Sequence, residues 1–271
     1  MRVLECPSAL NVAVGQTFHQ DLPVGGLVYE GIQFDMSDIA HSEITNIRVL
    51  VNGREVMFFA SGTDLQNLND YYGYQTDNDT LQIFFNTPAF KELPQQRLTG
   101  IPTAGLQSLV VTGDIDAGAT GAALSTRRFV SSPNAENKID TIKKVKRFPF
   151  TAAASGQQEL TNLTLGARIM AMHFINDGVT RVDIEDQSFT VMEATKVTLD
   201  LLHESYGRVP QTSVMTTVDF CIDGDLGNAL VTTKRDADNV NRARALRFLP
   251  TIDAAESMPV YVEYLDLINN L

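Results

Sequence analysis

RVDIEDQSFTVMEATKVTLDLLHESYG, from Arg181 to Gly207, is the stretch that decides the fold, because RVLVNGREVMFFASGTDLQNLNDYYG, from Arg48 to Gly73, repeats its plan. Each stretch predicts a strand, a tight turn, a second strand, a short helix and a closing glycine. In the earlier copy Asn52-Gly53 predicts the turn, because both residues tolerate the positive φ of a type I′ turn. In the later copy we expect the bend at Glu185-Asp186.

A helical pattern follows each predicted hairpin and ends at a glycine. Apolar residues recur at helical spacing in both copies: Leu65, Leu68 and Tyr72 in the first, and Ala194, Val197, Leu201 and Tyr206 in the second. Gly73 and Gly207 follow these runs at the position where a left-handed residue caps a helix. The order of elements is therefore kept while the residue types differ.

The similarity between the two copies extends in both directions along the chain. Upstream, Gly15 and LPVG at 22–25 match Gly156 and LTLG at 163–166 at one constant spacing. Downstream, apolar residues alternate in the same way in the strands predicted at 81–85 and 215–222. A repeat of this length is a domain. We therefore predict an N-terminal domain at 1–130, a basic linker at 131–147 and a C-terminal domain at 148–271.

Composition narrows the class of protein. The 271 residues carry a net charge of −12, which argues against nucleic-acid binding because phosphate contacts need clustered Lys and Arg. Only 20% of residues are charged, fewer than the usual ~25%, which suggests a surface that faces other protein. Two cysteines, Cys6 and Cys221, form no disulfide framework and fit folding in a reducing cytoplasm. The N-terminus predicts neither a signal peptide nor a membrane anchor.

The strongest charge asymmetry lies between the two copies. Basic residues cluster there against only two acidic ones, and they are Arg127, Arg128, Lys138, Lys143, Lys144, Lys146 and Arg147. Two interpretations stay open. The segment is either a solvated linker held on the acidic faces of its own domains, or a contact with an anionic neighbour. That neighbour would be the next subunit or lipid headgroups.

Residues that carry catalytic chemistry are sparse. The four histidines stand in separate predicted elements and match no zinc pattern, and no nucleophile elbow or phosphate-binding loop occurs. Three carboxylate clusters are candidates for calcium: Asp77 with Asp79, Asp183 with Glu185 and Asp186, and Asp223 with Asp225. None has the spacing of a calcium loop, so turn formation explains them better. A pair of clusters from different subunits remains able to share an ion.

These observations together predict an all-β protein of two tandem β-sandwiches with short helices in loops. An eight-stranded jelly roll fits the strand count of each half better than a seven-stranded immunoglobulin sandwich. Three such chains place six similar units around a three-fold axis, so a trimer is nearly hexagonal and can tile a surface.

Several segments resemble the major capsid proteins of corticoviruses, tailless bacteriophages of the double jelly-roll lineage. The resemblance is carried by ITNIRVLVNGREV (44–56), QQRLTGIPTAGL (95–106), DID (114–116), LTLGARIMAMHF (163–174), VDFCIDGD (218–225) and VYVEYL (260–265). It implies a double jelly roll, trimeric capsomers and an icosahedral virion shell over an internal membrane that encloses double-stranded DNA. It also implies structural calcium, neighbouring capsomers and vertex or membrane-associated proteins as partners. It implies synthesis in the host cytoplasm, and it transfers no catalytic residue and no calcium ligand. If the basic segment is a contact in such a shell, we expect reversal of Lys143, Lys144, Lys146 and Arg147 to Glu to block shell assembly and spare the trimer.

Two other functions remain open at this stage. Jelly rolls also form carbohydrate- and receptor-binding modules such as spikes, and Tyr71, Tyr72 and Tyr74 are the aromatic cluster that a sugar site would use. A cupin-like enzyme would need clustered histidines, which the scattered ones argue against. We therefore expect a non-enzymatic coat protein.

Overall fold

The computed structural model describes residues 1–75, 77–132, 141–187, 189–235 and 240–270. Its internal contacts divide the chain into two compact units. Unit 1 comprises Met1–Lys146 with Asp266–Leu271, and unit 2 comprises Arg147–Leu265. No helix in the described ranges is long and apolar enough to cross a bilayer.

Unit 1 is built from two sheets of short antiparallel strands. Its strands are β1 (Arg2–Glu5), β2 (Thr17–Asp21), β3 (Val28–Ser37), β4 (Ile44–Val51), β5 (Arg54–Ser61), β6 (Thr80–Phe84), β7 (Ile101–Pro102), β8 (Leu109–Ile115) and β9 (Ala123–Ser131). One sheet has the order β1-β9-β3-β6, with β7 beside β3, and the other has the order β2-β8-β4-β5. Helix α1 (Gly62–Tyr71) follows β5, and α2 (Leu93–Arg97) follows β6.

Unit 2 repeats this plan. Its elements are β10 (Thr141–Ala152), which begins in unit 1, β11 (Gly156–Gln157), β12 (Arg168–Phe174), β13 (Val179–Asp186), β14 (Phe189–Thr195), α3 (Lys196–Ser205), β15 (Thr216–Asp219), β16 (Thr233–Arg235), β17 (Asn241–Ala243), β18 (Leu246–Ile252) and β19 (Glu256–Leu267). One sheet has the order β15-β12-β19-β10, and the other has the order β11-β18-β13-β14. Strands β16 and β17 form a separate ribbon.

The strand order shows that the two units share one topology. When β7 and the ribbon are set aside, each unit has eight strands. One sheet of each unit joins the first, eighth, third and sixth strands, and the other joins the second, seventh, fourth and fifth. Two four-stranded sheets of this connectivity are a jelly roll. The predicted double jelly roll is therefore confirmed.

The first predicted hairpin is confirmed, and the second turns two residues later than predicted. Asn52 and Gly53 link β4 to β5 with φ of 50° and 76°. In unit 2 the prediction of a bend at Glu185-Asp186 is wrong. Both residues stay in β13, because they pair with β14 on one side and β18 on the other. Gln187, with φ of 58°, begins the turn instead.

Both predicted helices form and are capped in the same way. Ser61 accepts a hydrogen bond from the Asp64 amide at the start of α1, and Thr195 accepts one from the Thr198 amide at the start of α3. Gly73 and Gly207 follow the helices with φ of 70° and 81°.

The predicted apolar face of α3 is wrong, however. Val197 and Leu201 are exposed, and α3 buries Leu199 and His203 in their place.

The strand predicted at 215–222 is shorter than expected. Strand β15 ends at Asp219, and Cys221 lies in the turn that follows, although it is buried as a core residue would be.

Each unit also contains the same hydrogen-bond motif. The amide of Gly25 donates to Thr103 Oγ1 at 3.3 Å, and that of Gly166 donates to Thr232 Oγ1 at 2.8 Å. Each threonine is buried and donates in turn to a carbonyl one or two residues beyond its glycine. The spacing that related the LPVG and LTLG segments in the sequence therefore reflects an equivalent local structure.

Candidate functional site

The described part of the predicted basic linker lies almost entirely in strands, with Ser131 at the end of β9 and residues 141–147 in β10. The predicted linker at 131–147 includes residues 133–140, among them Lys138, which lie outside the described residues. The remaining basic residues lie in β9 and β10. Strand β10 carries apolar residues between its charges, including Val145, Phe148 and Phe150, which are buried. That alternation was the sequence signal for a strand here.

The two arginines of β9 bind partners within unit 1. Arg127 forms an ion pair with Asp35 at 3.2 Å, and its side chain stays half exposed. Arg128 donates to the hydroxyl of Tyr29 at 2.9 Å and lies 5.9 Å from the centre of its ring. Burial raises the pKa of Tyr29, although the hydrogen bond from Arg128 acts against this shift. Arg128 therefore stabilises the packing of β9 against β3.

The first two lysines of β10 are buried. Lys143 and Lys144 are 5% and 4% exposed. Lys143 donates to the carbonyl of Asn86 at 3.4 Å. Lys144 donates to Asp266 Oδ2 at 2.6 Å and to the carbonyl of Asn270 at 3.3 Å. This geometry removes both lysines from the candidate contact surface, because their charged groups bind inside unit 1.

The hydrogen bond from Lys144 helps to lower the pKa of the Asp266 carboxyl group. Burial is the largest single effect and would raise the pKa of Asp266, but the hydrogen bonds from Lys144, Asn270 and the Leu267 amide together outweigh it. The net pKa is lowered, so the ionised pair is the stable form at neutral pH.

Lys146 and Arg147 differ from the two lysines before them. Lys146 is partly exposed and Arg147 is exposed. In the described part of the chain neither forms an ion pair, whereas Arg127 is engaged with Asp35. Of the seven predicted contact residues, Lys146 and Arg147 are therefore the ones whose charge the described structure leaves available.

Most of the candidate calcium carboxylates have other partners. Arginines engage the cluster on β13, where Asp183 binds Arg181 at 2.9 Å and Asp186 binds Arg244 at 2.8 Å. Arg247 binds Glu185 at 3.0 Å in the same way.

The remaining two clusters are in turns. Asp223 and Asp225 accept hydrogen bonds from amides two residues further on, which is the turn-forming role expected from the sequence. Asp77 and Asp79 are exposed. Within the described residues no group of three or more His, Cys, Asp or Glu side chains is placed to hold a metal ion.

Two of the four histidines are buried in unit 2. His173 Nδ1 lies 3.0 Å from Thr217 Oγ1, and its Nε2 lies 3.8 Å from Glu263 Oε1. Burial, together with electrostatic interactions with His173, Arg208 and Lys196, lowers the pKa of His203 to about 4. These groups form a buried polar cluster.

Sequence reasoning missed a cavity of about 380 Å³ in unit 1. Phe84 and Phe129 form part of its wall, and their rings pack over Gly31, where a Cβ atom would lie 2.8 Å from the Ile83 carbonyl. At its polar end the buried Glu30 carboxylate accepts from Asn86 at 3.0 Å and lies 3.2 Å from Arg97 Nε. The contributing residues are far apart in sequence, so only their place in β3, β6, α2 and β9 joins them.

The tyrosines considered for a sugar site do not form an open platform. Tyr71 is fully buried, Tyr74 packs against Phe84 with ring centres 4.5 Å apart, and Tyr72 stacks on Tyr74. Their faces are used within unit 1.

Comparison with known proteins identifies both halves of the chain. The model of the viral coat protein P2 N-terminal domain matches residues 3–131, and the model of the P2 C-terminal domain matches residues 142–268. The chain therefore belongs to the viral coat protein P2 family.

Individual relatives agree with this assignment. The chain is 27% identical over 270 residues to the major capsid protein P2 of Pseudoalteromonas phage PM2, covering 97% of this chain and 96% of that one. The crystal structure of the PM2 protein superposes with a TM-score of 0.87, at 26% identity over 98% and 97% of the two chains. The major capsid protein of Sulfolobus turreted icosahedral virus shares the fold, with a TM-score of 0.68 at 11% identity over 97% and 95%. The corticovirus resemblance is thus confirmed.

Proposed function

We propose that this member of the viral coat protein P2 family is a major capsid protein, and that three copies form one pseudo-hexagonal capsomer of an icosahedral virion shell over an internal membrane. The observation that carries the proposal is the match of both domain models to a chain with two jelly rolls of the same strand order. Three such chains supply six similar units, which suits a three-fold capsomer in a nearly hexagonal array. The PM2 relative is named as a major capsid protein, which supports a non-enzymatic, structural role.

The first test is the solution mass of the purified protein by light scattering. We expect three times the chain mass of 29.8 kDa. A monomer at all accessible concentrations would refute the trimeric capsomer.

The other subunits of the shell are the partners that this function requires. We propose that Lys146 and Arg147 contribute to contacts with an anionic neighbour, either the next capsomer, a vertex or membrane-associated protein, or lipid headgroups. Their availability supports this, since a long-range attraction needs charge that is not already neutralised. No observation favours binding to a specific nucleic-acid sequence.

Testing that surface requires a smaller substitution set than the sequence suggested. Reversal of Lys143 or Lys144 would place a carboxylate in a buried site, so a loss of assembly would then report misfolding. The double variant Lys146→Glu, Arg147→Glu should keep the trimer mass and lower the yield of complete shells in 150 mM salt or below. Arg127→Glu is the matched control, because that arginine already has a partner in Asp35. Normal shell yield from the double variant would refute the contact.

We also propose structural calcium, held between subunits. The support is the exposed pair Asp77 and Asp79, which has two hard oxygen donors and lacks the remainder of a coordination shell. Light scattering with and without a chelator tests this. Loss of trimer or shell in chelator, with recovery on adding Ca²⁺ but not Mg²⁺, supports the proposal. An unchanged mass and shell yield would refute it.

A further inference from the structure

Helix α3 presents a row of apolar side chains to solvent. Val197 is 68% exposed and Leu201 is 60% exposed, and they lie one turn apart on the same face. Leu202, beside them, is 45% exposed. The apolar surface continues past the end of the helix through Tyr206 and Val209, which are exposed by 45% and 49%. Single exposed apolar residues are ordinary, but a contiguous row indicates an interaction surface.

The duplicated helix α1 provides a reference inside the same molecule. The two helices have the same length, their N-caps are Ser61 and Thr195, and glycines of positive φ follow at Gly73 and Gly207. These fixed points align the helices residue by residue.

The alignment shows that the exposed apolar row is specific to α3. Val197 corresponds to Thr63, and Leu201 corresponds to Asn67, so the same positions in unit 1 are polar. Leu202 corresponds to Leu68, which is only 3% exposed. Unit 1 therefore covers a leucine that unit 2 leaves open.

The strands that precede the two helices differ in the same way, since the strand in unit 1 is covered and the strand in unit 2 is open. In unit 1, β5 pairs with β4 and, on its other edge, with β10, where Val145 lies opposite Met57. In unit 2 the equivalent strand β14 pairs with β13 alone among the described residues. Each of these strands has a bulge in its hairpin pairing, at Val56 in β5 and at Val191 in β14, and these two valines are exposed by 1% and 39%. The same supersecondary element is thus fully packed in unit 1 and open on one side in unit 2.

Charge favours a copy of the same chain as the partner. With a net charge of −12, two copies repel each other over most of their surfaces. The segment from Tyr206 to Thr217 contains a single charged residue, Arg208, which is buried in an ion pair with Asp219 at 3.1 Å. Copies can therefore approach this segment with little electrostatic cost, and the exposed Glu204 of α3, one turn from Leu201, is the acid that such a contact must accommodate.

We infer that the outer face of α3, together with the open edge of β14, is the contact surface for a second copy of this chain. The inference rests on the proposed trimer and names the surface through which it forms. A closed ring of copies would give each unit 2 the coverage that the equivalent element has in unit 1.

The test substitutes into α3 the residues that α1 carries. The double variant Val197→Thr, Leu201→Asn changes only exposed side chains, and its circular dichroism and melting temperature should remain near those of the wild type. Its mass by light scattering should fall threefold, to the single-chain value of 29.8 kDa. The matched control is Val3→Thr, Leu10→Asn, because those residues in unit 1 are similarly exposed, at 56% and 59%.

The outcomes separate this inference from the proposal on which it rests. A trimeric wild type with a trimeric α3 variant overturns the contact surface and leaves the capsomer intact. A monomeric wild type overturns the capsomer and this inference together. Dissociation of both the variant and the control overturns the assignment to α3, because the effect would not be specific.

A second measurement does not depend on disrupting the assembly. Leu201→Cys and Leu10→Cys place thiols at sites that are 60% and 59% exposed in the single chain. In the assembled protein the thiol at position 201 should be alkylated at least about tenfold more slowly than the thiol at position 10, because a covered side chain reacts only when the contact opens. Peptide mapping separates these sites from Cys6 and Cys221. Equal rates at the two positions would overturn the inference.

Discussion

The buried ion pair of Lys144 and Asp266 allows one prediction to be worked through quantitatively. Replacement of Lys144 by Met keeps most of the aliphatic stem and removes the ammonium group, which lies 2.6 Å from Asp266 Oδ2. Breaking a buried pair costs about 3–5 kcal/mol, because the remaining charge has lost its partner. Asp266 is 15% exposed and keeps hydrogen bonds from Asn270 and the Leu267 amide, which places the expected loss near the lower limit. We expect about 3 kcal/mol.

This loss can be measured by calorimetry or by circular dichroism, since the chain has no tryptophan to report unfolding. At roughly 2–4 °C per kcal/mol for a domain of this size, the melting temperature should fall by about 6–12 °C. The control is Lys146→Met, two residues along the same strand and partly exposed, which should shift the melting temperature by less than about 2 °C.

The dependence on pH gives an independent check. The folded pKa of Asp266 is lowered, so the pair stabilises the protein above the ordinary aspartate pKa of about 3.9. This stabilisation is lost as the pH falls through the lower folded pKa. The difference between wild type and Lys144→Met should therefore narrow below about pH 4. Equal melting temperatures at pH 7, or a difference that persists unchanged in acid, would show that the ion pair does not stabilise unit 1.

Two further substitutions test the buried polar cluster and the packing of unit 1. The pKa of His203 is lowered to about 4, so the folded state binds a proton at this residue less readily than the unfolded state does. Lowering the pH from 6.5 to 4 should therefore remove about 3 kcal/mol from the free energy of unfolding. His203→Asn introduces the residue that α1 carries as Asn69, and its denaturation midpoints should depend less on pH across this window; an unchanged slope would contradict the assignment. Gly31→Ala should cost about 2 kcal/mol in urea denaturation, because its Cβ would overlap the Ile83 carbonyl, and wild-type stability would show that the sheet relaxes freely.

The sequence predicted those parts of the fold that depend on local chemistry. The turn at Asn52-Gly53 needs two residues that tolerate positive φ, and the ends of α1 and α3 need caps and glycines. These signals act within a few residues, so they are visible without the structure. The bend predicted at Glu185-Asp186 was wrong because acidic residues are also stable in a strand whose neighbours supply arginines.

The candidate site was less predictable because its partners are distant in sequence. Lys144 is separated from Asp266 by 122 positions, so nothing near the basic run shows that this charge is neutralised. A cluster of lysines is usually a solvated surface, since burial of an unpaired ammonium group is costly. Only the arrangement of β10 relative to the end of β19 in unit 1 identifies which members are internal and which remain available.

The phase of α3 illustrates a general limit of amphipathic patterns. Val197 and Leu201 recur at helical spacing, which identifies an apolar face but not what that face packs against. In α1 the buried positions include Leu65 and Leu68, and in α3 the buried positions are Leu199 and His203. The face with Val197 and Leu201 is thus an additional apolar surface of α3, separate from the face that packs on the jelly-roll core. This face is polar in α1 and apolar in α3. Packing against the core does not explain the difference, because the core contacts the opposite face of each helix. The difference is accounted for if only the second helix meets another chain.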